Sequence, residues 1–201
     1  MAIVDVSGRH GAAAAGGLSF RFRSGRPSLD FAATLGGRHR EPVERLAEPE
    51  DLARWLRESG MIDISRSPTK GELAAAKDLR EVIYRIAVAV IAGTPLRWDD
   101  TDLLNHYAAV PPVVPVLRPD RTLARLAADP VAAALSSLAR DAIELVAGEH
   151  AAGLRECSKP DCSLLFVDTS RSGARKWCSM ETCGNQDKVQ RYRQRVQLSS
   201  L

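Results

Sequence analysis

All four cysteines of this chain fall in its last quarter, as Cys157-x4-Cys162 and, after fifteen intervening residues, Cys178-x4-Cys183. Zinc takes four ligands at the corners of a tetrahedron, so two thiolates on one short loop can point at the same ion and a second such pair closes the shell from the other side. A spacer of four lies at the long end of structural-zinc spacings, which leaves two other readings open. Disulfides need an oxidising compartment. Residues 1–17 carry small side chains but no basic segment followed by an apolar run, and so read as a flexible tail and not as a secretory signal. Four unrelated buried thiols would have to fall by chance into two equal pairs. One zinc ion is therefore the expected cofactor, held by Cys157, Cys162, Cys178 and Cys183. Four thiolates leave no position for a water, which makes the expected role structural.

Charge is segregated with the cysteines. The chain has 201 residues and a net charge of +3, which by itself means little. From Arg155 onward, however, nine Lys or Arg face five acids, so the rest of the chain is close to neutral. Between the cysteine pairs, SLLFVD and ARKWC flank the turn-rich TSRSG and suggest a small hairpin packed by Leu165, Phe166, Val167 and Trp177. After Cys183, GNQDKVQRYRQRV contains no helix breaker, and Val189, Tyr192 and Val196 form a stripe that can dock on the hairpin. Knuckle, hairpin and helix around one metal make a treble-clef-like module. Its cations suit a phosphate backbone, since lysine and arginine replace condensed counterions. The candidate nucleic-acid contacts are Arg171, Arg175, Lys176, Asn185, Gln186, Lys188, Arg191 and Arg195, with the two amides able to pair with base edges. A solvated polar surface, or a protein- or RNA-interaction module without DNA binding, remains the alternative. The module lacks the row of aromatics that single-stranded bases stack on.

The rest of the chain reads as a mainly helical domain. Leu18–Ser24 (LSFRFRS) alternates apolar and basic residues with the period of a half-buried strand and suggests a small N-terminal sheet. SLDFAATLGG after it suits helix or strand. Helices are expected from the acids at 48–51 to Gly60, from Thr69 to Ala92, from Asp99 to Ala109, and from Asp129-Pro130 to Ala147. The prolines of PPVVPVLRP forbid a helix and suit an extended edge segment, and the stretch from Arg121 is ambiguous. No apolar run approaches the roughly 20 residues that cross a bilayer, and no catalytic fingerprint is present, so neither a membrane protein nor an enzyme is expected. Asp30 with Arg21, Arg23 and Arg26 is the one candidate small-ligand site of this domain; a structural ion pair is the competing reading.

CSKPDC, LLFVDTSRSGARKWCSMETCGN and the basic run after them closely resemble the CGNR zinc finger family. The family's C-G-N is present as Cys183-Gly184-Asn185, while Gln186 stands where the family has arginine. That change removes a phosphate or structural contact but leaves the zinc ligands intact. Arg26 to Leu35 (RPSLDFAATL) is similar to the start of the ABATE domain that precedes this finger in the family. Together the resemblances imply a stress-response regulator of transcription whose front domain senses a signal and whose finger binds DNA. The expected architecture is α+β and mainly helical: a flexible tail (1–17), a helical domain with a small sheet (18–150), and the zinc finger (151–201). DNA is the expected partner and the cytoplasm the expected location. A small-molecule effector and a homodimer stay open.

Overall fold

The computed structural model describes residues 18–189. The expected tail (1–17), and Arg191, Arg195, Tyr192 and Val196, lie outside the described residues. Five helices build the core: α1 (Pro27–Ala32), α2 (Pro49–Glu58), α3 (Lys70–Ala92), α4 (Trp98–Ala109) and α5 (Pro130–Ala147). Three two-stranded antiparallel ladders accompany them: β1 (Leu35–Gly36) with β2 (Val43–Glu44), β3 (Val114–Leu117) with β4 (Leu123–Leu126), and β5 (Leu154–Glu156) with β6 (Leu165–Val167). The fold is α+β and mainly helical.

The helix boundaries follow from local chemistry. At the start of α3 the Thr69 hydroxyl accepts from the Glu72 amide (3.1 Å) and the Glu72 carboxylate accepts from the Thr69 amide (2.6 Å), satisfying two N–H groups that the helix itself cannot. Gly93 ends it in the left-handed region at φ 66°, where a side chain would be strained. Asp129 caps α5 by accepting from the Ala132 amide (3.2 Å), with Pro130 in the first turn. Leu79, Ile83 and Ile86 of α3 meet Leu135 and Leu138 of α5, Leu52, Trp55 and Leu56 of α2, and Phe31 of α1 in one apolar cluster.

Three segments resolve what the sequence pattern left open or misdirected. SLDFAATLGG divides into helix α1 and strand β1. The proline-rich segment becomes β3, an exposed strand paired with β4 from the ambiguous stretch. Leu18–Ser24, expected as a strand, joins no ladder. Phe20 lies under the Arg54 guanidinium (4.1 Å) and Phe22 contacts Trp55 (ring centroids 6.0 Å apart), but Leu18 and Phe22 are exposed, so burial does not alternate along the segment. Several of its backbone groups, however, are taken by side chains. Arg54 donates to the Leu18 carbonyl (3.1 Å), Arg45 to that of Ser19 (3.0 Å), and the Arg23 and Ser24 amides donate to Asp30 Oδ1 (2.9 Å each). The small sheet near the N-terminus is instead the two-residue β1–β2 ladder.

Leu138 is fully buried between α5 and the other helices. Leu138→Ala should cost about 2–5 kcal/mol of stability in a urea titration, with the slope unchanged.

Candidate functional site: a four-cysteine metal centre seated on the helical domain

The metal centre grows out of the β5–β6 hairpin. Residues pair as Leu154 with Val167, Arg155 with Phe166 and Glu156 with Leu165, and the ladder is prolonged by the Cys157 amide donating to the Leu164 carbonyl (3.0 Å). The first cysteine pair thus occupies the connection of this hairpin. This corrects the expected pairing of SLLFVD with ARKWC. The partner of β6 comes from before the first cysteine, and the returning stretch is held by single bonds: Ser158 N–H to the Lys176 carbonyl (2.8 Å), the Arg175 amide to Asp168 Oδ2 (2.8 Å), and the Cys178 amide to Cys157 Sγ (3.5 Å). The second pair frames a turn, Met180–Gly184, in which Ser179 Oγ accepts from the Thr182 amide (3.3 Å).

The four sulfurs lie within 4.8 Å of one another and all four cysteines are buried. Cys162 and Cys178 sulfurs are 3.9 Å apart, and Cys178 and Cys183 sulfurs 3.6 Å. A tetrahedron with zinc–sulfur distances of about 2.3 Å has edges of about 3.8 Å, so the set fits one zinc. A disulfide, at about 2.05 Å, does not describe these pairs. The chemistry of the donors agrees. In the absence of a cation, hydrogen bonding from Cys162 and Cys178 holds the Cys157 thiol low, and the same sharing pushes Cys162 up to about 12 and Cys178 higher still. Sulfurs so close cannot all be thiolates unless a divalent ion replaces the protons. The protein holds one structural zinc.

Around the sulfurs, Leu164, Phe166, Ala33 and the edge of Trp177 exclude water. Asp168 pins the loop between the pairs by accepting from the Ser170 and Arg175 amides (2.9 and 2.8 Å), and those bonds, Ser170 first, hold its carboxyl below the usual range. Arg175 faces inward. Its Nε donates to the Trp177 carbonyl (2.9 Å), Nη2 donates to the Cys178 carbonyl, and the guanidinium lies over the Phe166 ring at 4.5 Å.

The other sequence candidates separate. Arg171, Lys176, Gln186 and Lys188 are exposed. Asn185 is exposed too, but its Nδ2 donates to the Glu181 carbonyl (3.2 Å), tying the helix that begins there to the turn before it. Val189, expected to dock on the hairpin, is 49% exposed. The front-domain set does not converge on a pocket. Asp30 caps backbone amides, Arg26 pairs with Asp141 of α5 (2.8 Å), and Arg23 reaches Thr182 of the finger (3.1 Å). Arg21 acts on Arg45, whose own charge it disfavours after burial does so.

Sequence reasoning missed the seat of the finger. Along β6, Leu165 and Val167 enter a cluster with Leu29 of α1, Ala87 of α3 and Leu145 of α5, while Phe166 points to the sulfurs. The Val167 amide donates to the Ser24 carbonyl (3.0 Å). The loop after β1 clamps the other side: Arg38 makes a two-pronged ion pair with Glu81 (2.5 and 3.1 Å), lies over the Tyr84 ring (3.9 Å) and donates its backbone amide to Ser163 Oγ (3.1 Å). His39 Nε2 lies 2.6 Å from Glu156 Oε1. Only the period-two run of LLFV hinted at this, by providing two apolar faces.

A mainly helical domain carrying a closed four-cysteine site defines a zinc-binding protein. Residues 25–149 match the ABATE family, described as "Putative stress-induced transcription regulator", and residues 154–196 match the CGNR zinc finger. The first match spans more than half of the chain, and the chain belongs to the ABATE family with a CGNR zinc finger behind it. A search of curated proteins finds no match.

Cys183→Ser should abolish stoichiometric zinc and, because β5 and β6 share apolar contacts with α1, α3 and α5, lower the stability of the whole chain by about 3–5 kcal/mol, on the order of 10 °C in a thermal melt. Acid should release the metal, since protons compete for the thiolates. Asp168 adds to this acid limb: its carboxyl is depressed in the folded state, so its contribution is present at neutral pH and is lost as the pH falls through the lowered value. Asp168→Asn should flatten that limb in a pH series of melts.

Proposed function

We propose that this protein is a DNA-binding transcription regulator in which the zinc holds a basic surface against the sugar–phosphate backbone. The observation that carries this reading is the division of labour among the finger's cations. Arg175 is spent on backbone carbonyls beside the metal, whereas Arg171 and Lys176 from the loop between the cysteine pairs, and Lys188 after the second pair, stand exposed. Arg191 and Arg195 continue the basic run. Gln186 and Asn185 lie near Lys188 in the chain and supply amides suited to base edges or phosphate oxygens. The role is non-catalytic, because four sulfurs complete the metal's coordination. A cytoplasmic location goes with reduced thiols bound to metal. Among the described residues no helix is long and apolar enough to cross a membrane.

A second reading has one observation in its favour. Met180 and Val189 each expose about half of their surface on the finger, 49% in both cases, which suits a protein partner. Fluorescence anisotropy with random duplex DNA separates the two. DNA binding predicts an affinity that falls steeply as salt rises, and a charge reversal at Lys188 together with Lys176 should weaken it about tenfold or more with zinc content unchanged. Absence of binding at low salt would move the function to protein interaction.

A further inference from the structure

The finger and the front domain enclose a cleft of about 550 Å3, lined by Arg40, Lys159, Pro160, Asp161, Asn185, Gln186 and Val189. That volume is within the roughly 300–1,000 Å3 typical of ligand clefts. Its walls come from three places: the loop after β1, the connection between the first two cysteines, and the start of the helix after the second pair. Pro160 and Val189 supply apolar surface. Polar groups converge from the remaining residues.

The charges are not equivalent. Lys159 Nζ lies 2.6 and 2.7 Å from the two oxygens of Asp161, so that pair largely neutralises itself. Arg40 is exposed and lines the same cleft as Asp161. Its backbone is fixed. Gly37 turns the chain at φ 63°, where a Cβ would meet the Glu41 carbonyl oxygen at 2.2 Å, and the Arg40 amide donates to the Gly37 carbonyl (3.0 Å). The two residues before Arg40 are the clamps already described: Arg38 on Glu81 and Ser163, and His39 on Glu156. The front domain therefore contributes Arg40 to a cleft that Asn185 and Gln186 of the finger also line, with Asn185 Nδ2 already donating one N–H to the Glu181 carbonyl.

We infer that the DNA-contacting surface is composite, with one backbone phosphate of DNA seated in this cleft between Arg40 of the front domain and Asn185 and Gln186 of the finger. The inference rests on the DNA-binding reading and deepens it. A guanidinium presents a fork of donors to phosphate oxygens, and side-chain amides add neutral donors, so the set suits a single phosphate. Lys159 and Asp161 cancel each other, which leaves the contact the single positive charge of Arg40. The contact also couples the two halves: whatever shifts the loop from Gly37 to Arg40 changes how the finger holds DNA.

The test uses the full zinc-loaded chain with Arg40→Gln and Asp161→Asn, titrated into duplex DNA over a range of salt, with zinc content and melting temperature read for each. The inference expects Arg40→Gln to bind about tenfold more weakly and to reduce the slope of log affinity against log salt by about 0.9, the share of one phosphate. It expects Asp161→Asn to bind more tightly, a gain that damage to the fold would not produce. If the unmodified chain binds while Arg40→Gln and Asp161→Asn superimpose on it, the composite surface is wrong and the DNA reading stands. If the unmodified chain does not bind at low salt, the DNA reading fails and takes the inference with it.

Discussion

The hairpin of Leu154–Glu156 and Leu165–Val167 carries the metal on one face and the helical core on the other, and the rest of the finger depends on that double attachment. Successive side chains of a strand point to opposite faces. Leu165 and Val167 enter the cluster of Leu29, Ala87 and Leu145, while Phe166 lines the sulfurs. A segment so short could not bury enough apolar surface by itself to hold four cysteines in place. Zinc supplies the missing folding energy on one face and the helices supply it on the other. Metal content and the integrity of the front domain are consequently linked through three residues.

Electrostatics reinforce the same seam. Arg38 reaches α3 through Glu81 and Tyr84 while its backbone amide donates to Ser163 Oγ, and His39 meets Glu156 of β5. Arg80 is almost fully buried and is balanced by Glu44 (2.6 Å) and Glu81 (2.9 Å), whose carboxyls are held below the usual range by these arginines against the opposing effect of burial. Buried charges persist only where each has a partner, so this set specifies one arrangement of loop, α3 and finger. The proposed DNA contacts then fall to the cations not used in this way. The same residue type plays both parts: Arg175 stabilises the finger from within, and Lys176, its neighbour, faces solvent.

Much of this was legible beforehand because it is local. Helix α3 could be bounded from Thr69 to Gly93 because a capping pair three residues apart and a left-handed glycine are encoded within one turn of the chain. The metal ligands were legible because two equal spacings constrain four residues at once. Leu18–Ser24 misled because a two-residue alternation in sequence does not say what satisfies the backbone, and here side chains of Asp30, Arg45 and Arg54 bond several of its backbone groups while Leu18 and Phe22 stay exposed. Of the front-domain arginines grouped around Asp30 in the sequence, Arg26 pairs with Asp141 of α5 and the Arg23 guanidinium reaches Thr182 of the finger.

What the sequence by itself determined is therefore helices α2 to α5, the four-sulfur centre and the concentration of positive charge beside it, all of which rest on spacing and composition within a few turns of chain. The tertiary structure decided that β6 pairs with β5 instead of with the returning ARKWC stretch, that Arg175 turns inward, and that the loop carrying Arg38, His39 and Arg40 meets the finger. These outcomes depend on partners far apart in the chain, as with Arg38 and Ser163. Hydrogen bonds and ion pairs at that separation leave no periodic trace, and they are chosen only when folding brings their groups within about 3 Å.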